Sequence, residues 1–272
     1  MISVLNSVSQ LGAENALSST QASLQNTLLQ LSTGLKINSG ADDAAGLSIA
    51  AGLGANIAAL TQSSQNASNG VGLLQTADGA LSQVTSLLNK AVTLATEAAN
   101  GQLTAAQSTA ADAAYQSIMT EITQIGSTTN FNGTAVFSAA PVTTFTSDGT
   151  VGGTATVSTT TGALSSTTLD LDKTDLTSVV KATAALTAIT AAINTVAGVR
   201  GTIGASVNQL TADTSVQNTE VTNLTGAQNN VQNADIGTTV AKMTQYNVLE
   251  QTGMAALSQS NQAQQAVLKL LQ

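Results

Sequence analysis

The sequence predicts a mainly α chain: an elongated antiparallel helical coiled-coil rod with a small β-hairpin excursion in the middle. Three observations predict it. Two long stretches keep an unbroken seven-residue apolar spacing, a Ser/Thr/Gly-rich segment separates them, and only 8% of the 272 residues are charged. The first stretch reads Leu53, Ile57, Leu60, Ser64, Ala67, Val71, Leu74, Asp78, Leu81, Thr85, Leu88, Val92 and Ala95. The second reads Leu186, Ile189, Ile193, Val196, Arg200, Ile203, Val207, Leu210, Thr214, Gln217, Val221, Leu224, Gln228 and Val231. Steps of three and four residues in alternation are the seam of a coiled coil, in which one helix face is buried against another.

Residues 1–35 read as the first helix, with Leu24, Leu28, Leu31 and Leu35 in one heptad phase. Ser32–Asp43 carries two glycines with Asn, Ser and Asp, so 36–43 reads as a connector and a break in the helix. The apolar phase changes across it. A second helix then starts near Ala44, capped by Asp42 or Asp43. It should stop at Ala99-Asn100-Gly101, where glycine accepts the left-handed conformation that ends a helix. Such a helix is about 85 Å long at 1.5 Å per residue, whereas a compact fold of this length has a radius of gyration of about 18 Å. The core must be thin, and much apolar surface needs a partner outside the chain.

Thr104 and Gln107 form a capping box for a third helix reaching to about Ile125. From 130 to 178 Gly, Thr and Ser dominate. Short β-favouring runs at Val142–Thr146 and Ala155–Thr161, with turns at Asp148-Gly149 and Gly152-Gly153, predict a hairpin next to the only proline, Pro141. Helix resumes near Val179 and runs to about Asn233. A phase change near Asp235 opens a last helix carrying Ile236, Val240, Met243, Leu257, Leu268 and Leu271. Residues 1–35 with 236–272 therefore form an inner pair of terminal helices. Residues 44–178 with 179–235 form the rod, whose seam includes Ile57, Leu60, Val71, Leu74, Leu81, Leu88, Ile189, Ile193, Val196, Ile203, Leu210 and Leu224. This order brings both termini to one end.

Composition excludes several functions. There is no cysteine and no histidine, which removes disulfides, thiolate chemistry, the commonest general base and the usual zinc ligand. No enzyme activity, cofactor or metal is expected. A net charge of −8 with seven Lys and Arg argues against nucleic acid as a partner. No run of about 18 apolar residues is present, so no membrane insertion is expected. The first basic residue is Lys36, so the start lacks the basic region of a secretory signal; an exported protein of this kind would leave by another route, without a cleaved signal peptide. Low charge lets identical surfaces approach with little repulsion, which points to assembly.

Individual residues have competing readings. Arg200, the only arginine, occupies a seam position, where it either fixes register through a charge pair or snorkels at the edge. Asp42-Asp43 reads as helix capping rather than metal or acid–base chemistry. Gly198, Gly201 and Gly204 follow no strand, so they read as sites of close helix packing rather than a phosphate cradle. Sequons at Asn66, Asn132 and Asn223 are chance matches in an Asn/Ser/Thr-rich sequence, and Ser and Thr at 142–178 form either a bare loop or one carrying O-linked sugars.

Leu31–Ala50 (LSTGLKINSGADDAAGLSIA) closely resembles the N-terminal signature of bacterial flagellins, as do Leu60-Thr61-Gln62, Asn66-Ala67, Asn69-Gly70 and Gly79-Ala80-Leu81. Asn130-Phe131-Asn132-Gly133 is similar to the sequence ending the family's third helix. Asn223-Leu224-Thr225, Ala234-Asp235, Val240, Met243, Gln251, Gly253, Asn261-Gln262 and Val267-Leu268 are similar to its C-terminal region. The resemblance covers about 1–135 and 195–272. It implies a structural subunit exported unfolded by the flagellar type III apparatus and polymerised at the distal tip of an extracellular helical filament. The terminal helices would line the lumen, ordering only on assembly, with Gly34 and Gly40 letting inner and outer layers adjust separately. Implied partners are further copies, an export chaperone, a distal cap and junction proteins. A hook–filament junction adaptor shares the terminal segments and is the alternative. A metalloprotease-bearing flagellin needs an HExxH helix, which the absence of histidine rules out.

The sequence departs from the family's pattern in places. Positions 228–233 are uncharged where relatives carry Arg and acidic residues, Gln264 stands for a common Pro, and Gln272 for a common Arg. In the patch bound by an animal Toll-like receptor, Leu94 is kept, Lys90 replaces Arg and Ala114 replaces an acid. Lysine lacks the planar fork of arginine, so weak innate-receptor recognition is expected.

Overall fold

The computed structural model describes residues 2–147 and 155–270. Five α-helices carry the fold: α1 (Ile2–Thr33), α2 (Ala44–Ala99), α3 (Ala105–Thr128), α4 (Val179–Gln232) and α5 (Ile236–Leu270). Between α3 and α4 lie two antiparallel hairpins, β1 (Asn130–Phe131) with β2 (Thr134–Ala135), and β3 (Val142–Thr146) with β4 (Ala155–Thr159). The protein is mainly α with a small β excursion, as the heptad spacing predicts. The expected turns at Asp148-Gly149 and Gly152-Gly153 lie outside the described residues.

In a sequence this poor in charge the long helices carry many hydroxyls, and these are satisfied locally. Thr20, Thr27, Thr61, Thr85 and Thr214 each donate to the carbonyl four residues back, at 2.7–2.9 Å. That bond lets threonine sit in a helix, even a buried one, without an orphaned donor. The helix starts are capped by short polar side chains. Asp43 Oδ1 accepts from Gly46 N at 2.9 Å, and Asp235 Oδ1 accepts from Gly237 N at 2.9 Å. Thr104 and Gln107 make the predicted capping box. Gly101 takes φ +70 just past α2. Asp42 does not cap α2; its Oδ2 accepts from the backbone of Asn38 and Ser39 and so ties the connector into a loop.

One compact unit comprises 1–55 with 224–272, the other 56–223. These divisions fall within α2 and α4, not at the connector where the change of apolar phase suggested one. The reason is backbone bonding. Lys36 N–H donates to Gln232 O, Ala234 N–H donates to Gly34 O, and Leu35 bridges Asn233, so 34–36 is fastened to 232–234.

Within the 56–223 unit, α2 and α4 run antiparallel. Ser63 meets Gln217 and Asp78 meets Arg200, residue numbers rising on one helix as they fall on the other. The core is continuous from Ala67 on α2 through Tyr115, Met119 and Ile122 on α3 to Leu210 on α4. The excursion is strapped over it. Asp112 Oδ1 accepts from Leu176 N at 2.8 Å, and Tyr115 OH bonds Thr174 Oγ1. Gly126 is buried against the Leu164 carbonyl so closely that a Cβ there would lie 1.8 Å from its oxygen. The NFNG sequence forms the β1–β2 turn, with Asn132 at φ 49 and Gly133 at φ +79. Adjacent positive φ angles are the conformation for which Asn-Gly is favoured in a two-residue hairpin.

One sequence expectation is corrected. Gly198, Gly201 and Gly204 are all exposed and a Cβ on any of them would meet nothing within 4 Å, so they mark no close packing inside the molecule. Continuous apolar runs also understate the helices: α2 and α4 each contain an 18-residue window of mean hydropathy 1.5, apolar enough on composition to cross a membrane. Alanine and glycine interspersed with Ser and Thr produce that mean without an unbroken run.

Candidate assembly interface

From Leu60 to Ala95 every seventh residue of the α2 frame is at the centre of the seam: Leu60, Leu74, Leu81 and Leu88 are buried, with Ala67 and Ala95 between and beyond them. On α4 the same holds for Ile189, Val196, Ile203, Leu210 and the polar Gln217. The intervening positions are displaced by one residue. Ser63, Gly70, Ala77, Val84 and Ala91 are buried, while Ser64, Val71, Asp78, Thr85 and Val92 are only half-buried. Ile57, Ile193 and Leu224 are also half-buried. Both choices keep a three-four rhythm, so spacing alone does not separate them. Small residues decide it: at Gly70 a Cβ would sit 2.5 Å from Thr144 Oγ1, so the β3–β4 hairpin reaches α2 on that flank.

A polar knot closes this contact. Ser63 Oγ accepts from Ser147 N–H and from the Gln217 side-chain amide, both at 2.8 Å, while Gln217 Oε1 is buried with no partner among the described residues. In the heptad frame Gln217 reads as an interruption of the seam; the signal that identifies its role is a glutamine in strict heptad phase with buried Ile203 and Leu210. Further along, Arg200 makes a two-pronged contact with Asp78, Nε to Oδ1 at 2.7 Å and Nη2 to Oδ2 at 3.2 Å. Of the two readings of Arg200, this geometry is the register-fixing pair. The guanidinium holds the Asp78 carboxyl below the ordinary carboxylate range.

The terminal helices pair antiparallel. Gln10 Nε2 donates to Asn261 Oδ1 and Gln21 Nε2 to Glu250 Oε1, each at 3.1 Å. Their seam passes through Gln10, Ala13, Leu17, Thr20, Leu24, Thr27 and Leu31 on α1, and Thr239, Met243, Tyr246, Glu250, Gly253, Leu257 and Ser260 on α5. Leu24, Leu31, Met243 and Leu257 thus lie on it, as the leucine stripe suggests. Leu28, Ile236 and Val240 do not: they are 46%, 48% and 39% exposed. Leu35 lies beyond α1, half-buried in its bridge to Asn233. The side chain of Leu268, and Leu271 altogether, lie outside the described residues. Thr27 and Thr239 take the buried places because their hydroxyls bond Ser23 O and Asp235 O. Other large apolar side chains point away from the seam: Val8, Leu11, Leu29, Val248, Leu249 and Met254 join the exposed set. Large apolar side chains therefore occur on the outward side of this helix pair as well as along its seam.

Lys90 is exposed and Leu94 half-buried, one turn apart on α2; Ala114 is exposed on α3. Among the described residues no group of three or more Asp, Glu, His or Cys is placed to hold a metal ion. What the described surface offers is a set of exposed large apolar side chains, most of them on α1 and α5.

Comparison with known proteins follows the same division of the sequence. Residues 4–141 match the family described as bacterial flagellin N-terminal helical region, and residues 186–271 match the bacterial flagellin C-terminal helical region. The chain is 33% identical to a flagellin of Halalkalibacterium halodurans over 91% of both proteins. It is 30% identical to a flagellin of Bacillus subtilis over 98% of both, and 28% identical over 98% of both to the flagellar filament 33 kDa core protein of Treponema phagedenis.

Proposed function

Since the chain belongs to the bacterial flagellin family, we propose that it is a structural subunit that self-assembles into the extracellular flagellar filament. It is not an enzyme. The observation that carries the assembly reading is the set of large apolar side chains on the outward side of the α1–α5 pair, where Leu28, Leu29, Val248 and Leu249 are 44–54% exposed. Fully burying an exposed side chain of this kind contributes roughly 1.5–3 kcal/mol, and these half-exposed ones keep part of that gain for a contact between copies. A subunit that meets the next by a rotation and a rise makes contacts that never close, which generates an open helical filament.

Finer parts of the reading rest on family resemblance and physics together. The terminal helices order fully only on assembly, since polar Gln10, Thr20, Thr27, Thr239, Glu250 and Ser260 alternate with the leucines of their seam and weaken the pair. The unfolded termini suit export through a narrow channel. An export chaperone, a distal cap and junction proteins are the expected partners. Recognition by an animal Toll-like receptor is weak because Lys90 and Ala114 replace a forked cation and a carboxylate; a cell reporter responding as strongly as to a typical flagellin would refute this.

The test is seeded elongation. Purified monomer added to short filament seeds should give long filaments by negative-stain electron microscopy, with a gain in helical circular dichroism as subunits join. Folded monomer that never elongates would argue against the reading.

A further inference from the structure

The sequence holds three Asn-Gly pairs, Asn69-Gly70, Asn100-Gly101 and Asn132-Gly133. Asn-Gly is chemically labile because the glycine nitrogen, with no Cβ beside it, can approach the asparagine Cγ unhindered. The nitrogen bonds to Cγ, the Cγ–Nδ2 bond breaks, and ammonia leaves with the backbone amide proton. The resulting cyclic imide adds water, which opens either C–N bond of the ring and yields aspartate or its β-linked isomer. Water is the only co-reactant. What decides the rate is whether the backbone can reach the cyclic geometry.

The three pairs sit in different surroundings. Gly70 lies inside α2, where its N–H belongs to the helical ladder, and it is buried against Thr144 and Leu210. Cyclisation there requires the long helix and the hairpin contact to open together. Asn132 and Gly133 are exposed, but both strands beside them are paired, Asn130 with Ala135 and Phe131 with Thr134. Asn100 follows the end of α2 and Gly101 follows it at φ +70; both are exposed and neither belongs to a helix or strand. Helix ends and loop tips open at the lowest free energy in a fold.

We propose that Asn100 is the site at which this folded protein spontaneously deamidates first, with Asn132 slower and Asn69 protected. The product has a structural consequence. A new carboxylate stands one turn from Glu97, at the negative end of the α2 dipole, where anions are unfavourable. The β-linked isomer also inserts a methylene into the backbone at the turn that Gly101 closes. Aged subunits therefore fray at the C-terminus of α2.

Peptide mapping by mass spectrometry tests this on the full-length monomer, incubated folded in mildly alkaline buffer and, in parallel, unfolded in denaturant. In the folded protein, the Asn100 peptide should accumulate the acid form several-fold ahead of Asn132, with Asn69 unchanged. In denaturant all three should convert at similar rates. Folded-state conversion led by Asn69 or Asn132, or an order unchanged by denaturant, would overturn the proposal. An Asn100→Gln variant should lose the early product and keep the rest.

Discussion

Asp78 ties the two longest helices of its unit together through Arg200, and its charge state makes that contact sensitive to acid. The folded carboxyl titrates below its ordinary value, first because Arg200 hydrogen-bonds it. Folding is then favoured while the group is ionised. The contribution is complete above the unfolded carboxylate value of about 4 and is lost as pH falls through the lower folded value. Asp175, held low by Lys181 and Thr177, adds in the same direction. Both aspartates are partly solvated, so each ion pair contributes about 1 kcal/mol at most. Asp78→Asn should lower the thermal midpoint slightly at neutral pH and reduce the loss seen on acidification; an unchanged acid limb would show that the pair does not act. Gly126 is the opposite case, a residue with no charge and no freedom to change. Gly126→Ala must displace the Leu164 backbone and should destabilise the 56–223 unit by about 1–3 kcal/mol, read as a lower urea midpoint. A midpoint equal to that of the parent would mean that the 160–178 strap moves at little cost.

At the scale of elements, helices and caps are legible in the sequence because each rests on local chemistry. Asp43, Thr104, Asp235 and Gly101 sit within a residue or two of the ends they mark. The β1–β2 hairpin is not legible as strands, since a two-residue strand has no periodicity to read, though its Asn-Gly turn is the usual signal. The faces are legible only in part. Every seventh position is buried over 60–95 on α2 and 189–217 on α4, but the companion positions depend on what packs beside the helix, and in α1 buried Thr27 displaces Leu28 from the seam. Leucine alone is an incomplete guide there: a threonine bonded to its own helix is as easily buried, and the leucine beside it is left exposed, where the proposed contact with another copy would use it. That assignment has a direct test. Leu28→Ser and Leu249→Ser together should leave monomer stability within about 0.5 kcal/mol yet abolish or greatly slow seeded elongation. Leu24→Ala, on the seam, should instead weaken the α1–α5 pair itself. Double-serine monomers that elongate at the parent rate would remove these two residues from the interface.

For the whole molecule, the governing quantity is the scarcity of charge, 8% of residues with a net −8. Filament contacts between copies so sparsely charged do not depend on many ion pairs. The described terminal helices between Val8 and Asn261 expose nine large apolar side chains, and their charged residues are few, Glu14, Lys242 and Glu250. Coulombic contacts at a solvated surface weaken once the screening length falls from about 30 Å at 0.01 M salt to about 3 Å at 1 M. Apolar burial has no such dependence and is strengthened by excluded salts. The net negative charge acts the other way, since repulsion between copies is greatest where screening is weakest. Filaments should therefore hold nearly constant depolymerisation temperature as sodium chloride is raised, with any shift upward, and should be stabilised further by sulfate. Light scattering during heating ramps across that range measures it directly. A depolymerisation temperature that falls steeply with salt would require ion pairs between copies that these exposed faces do not supply.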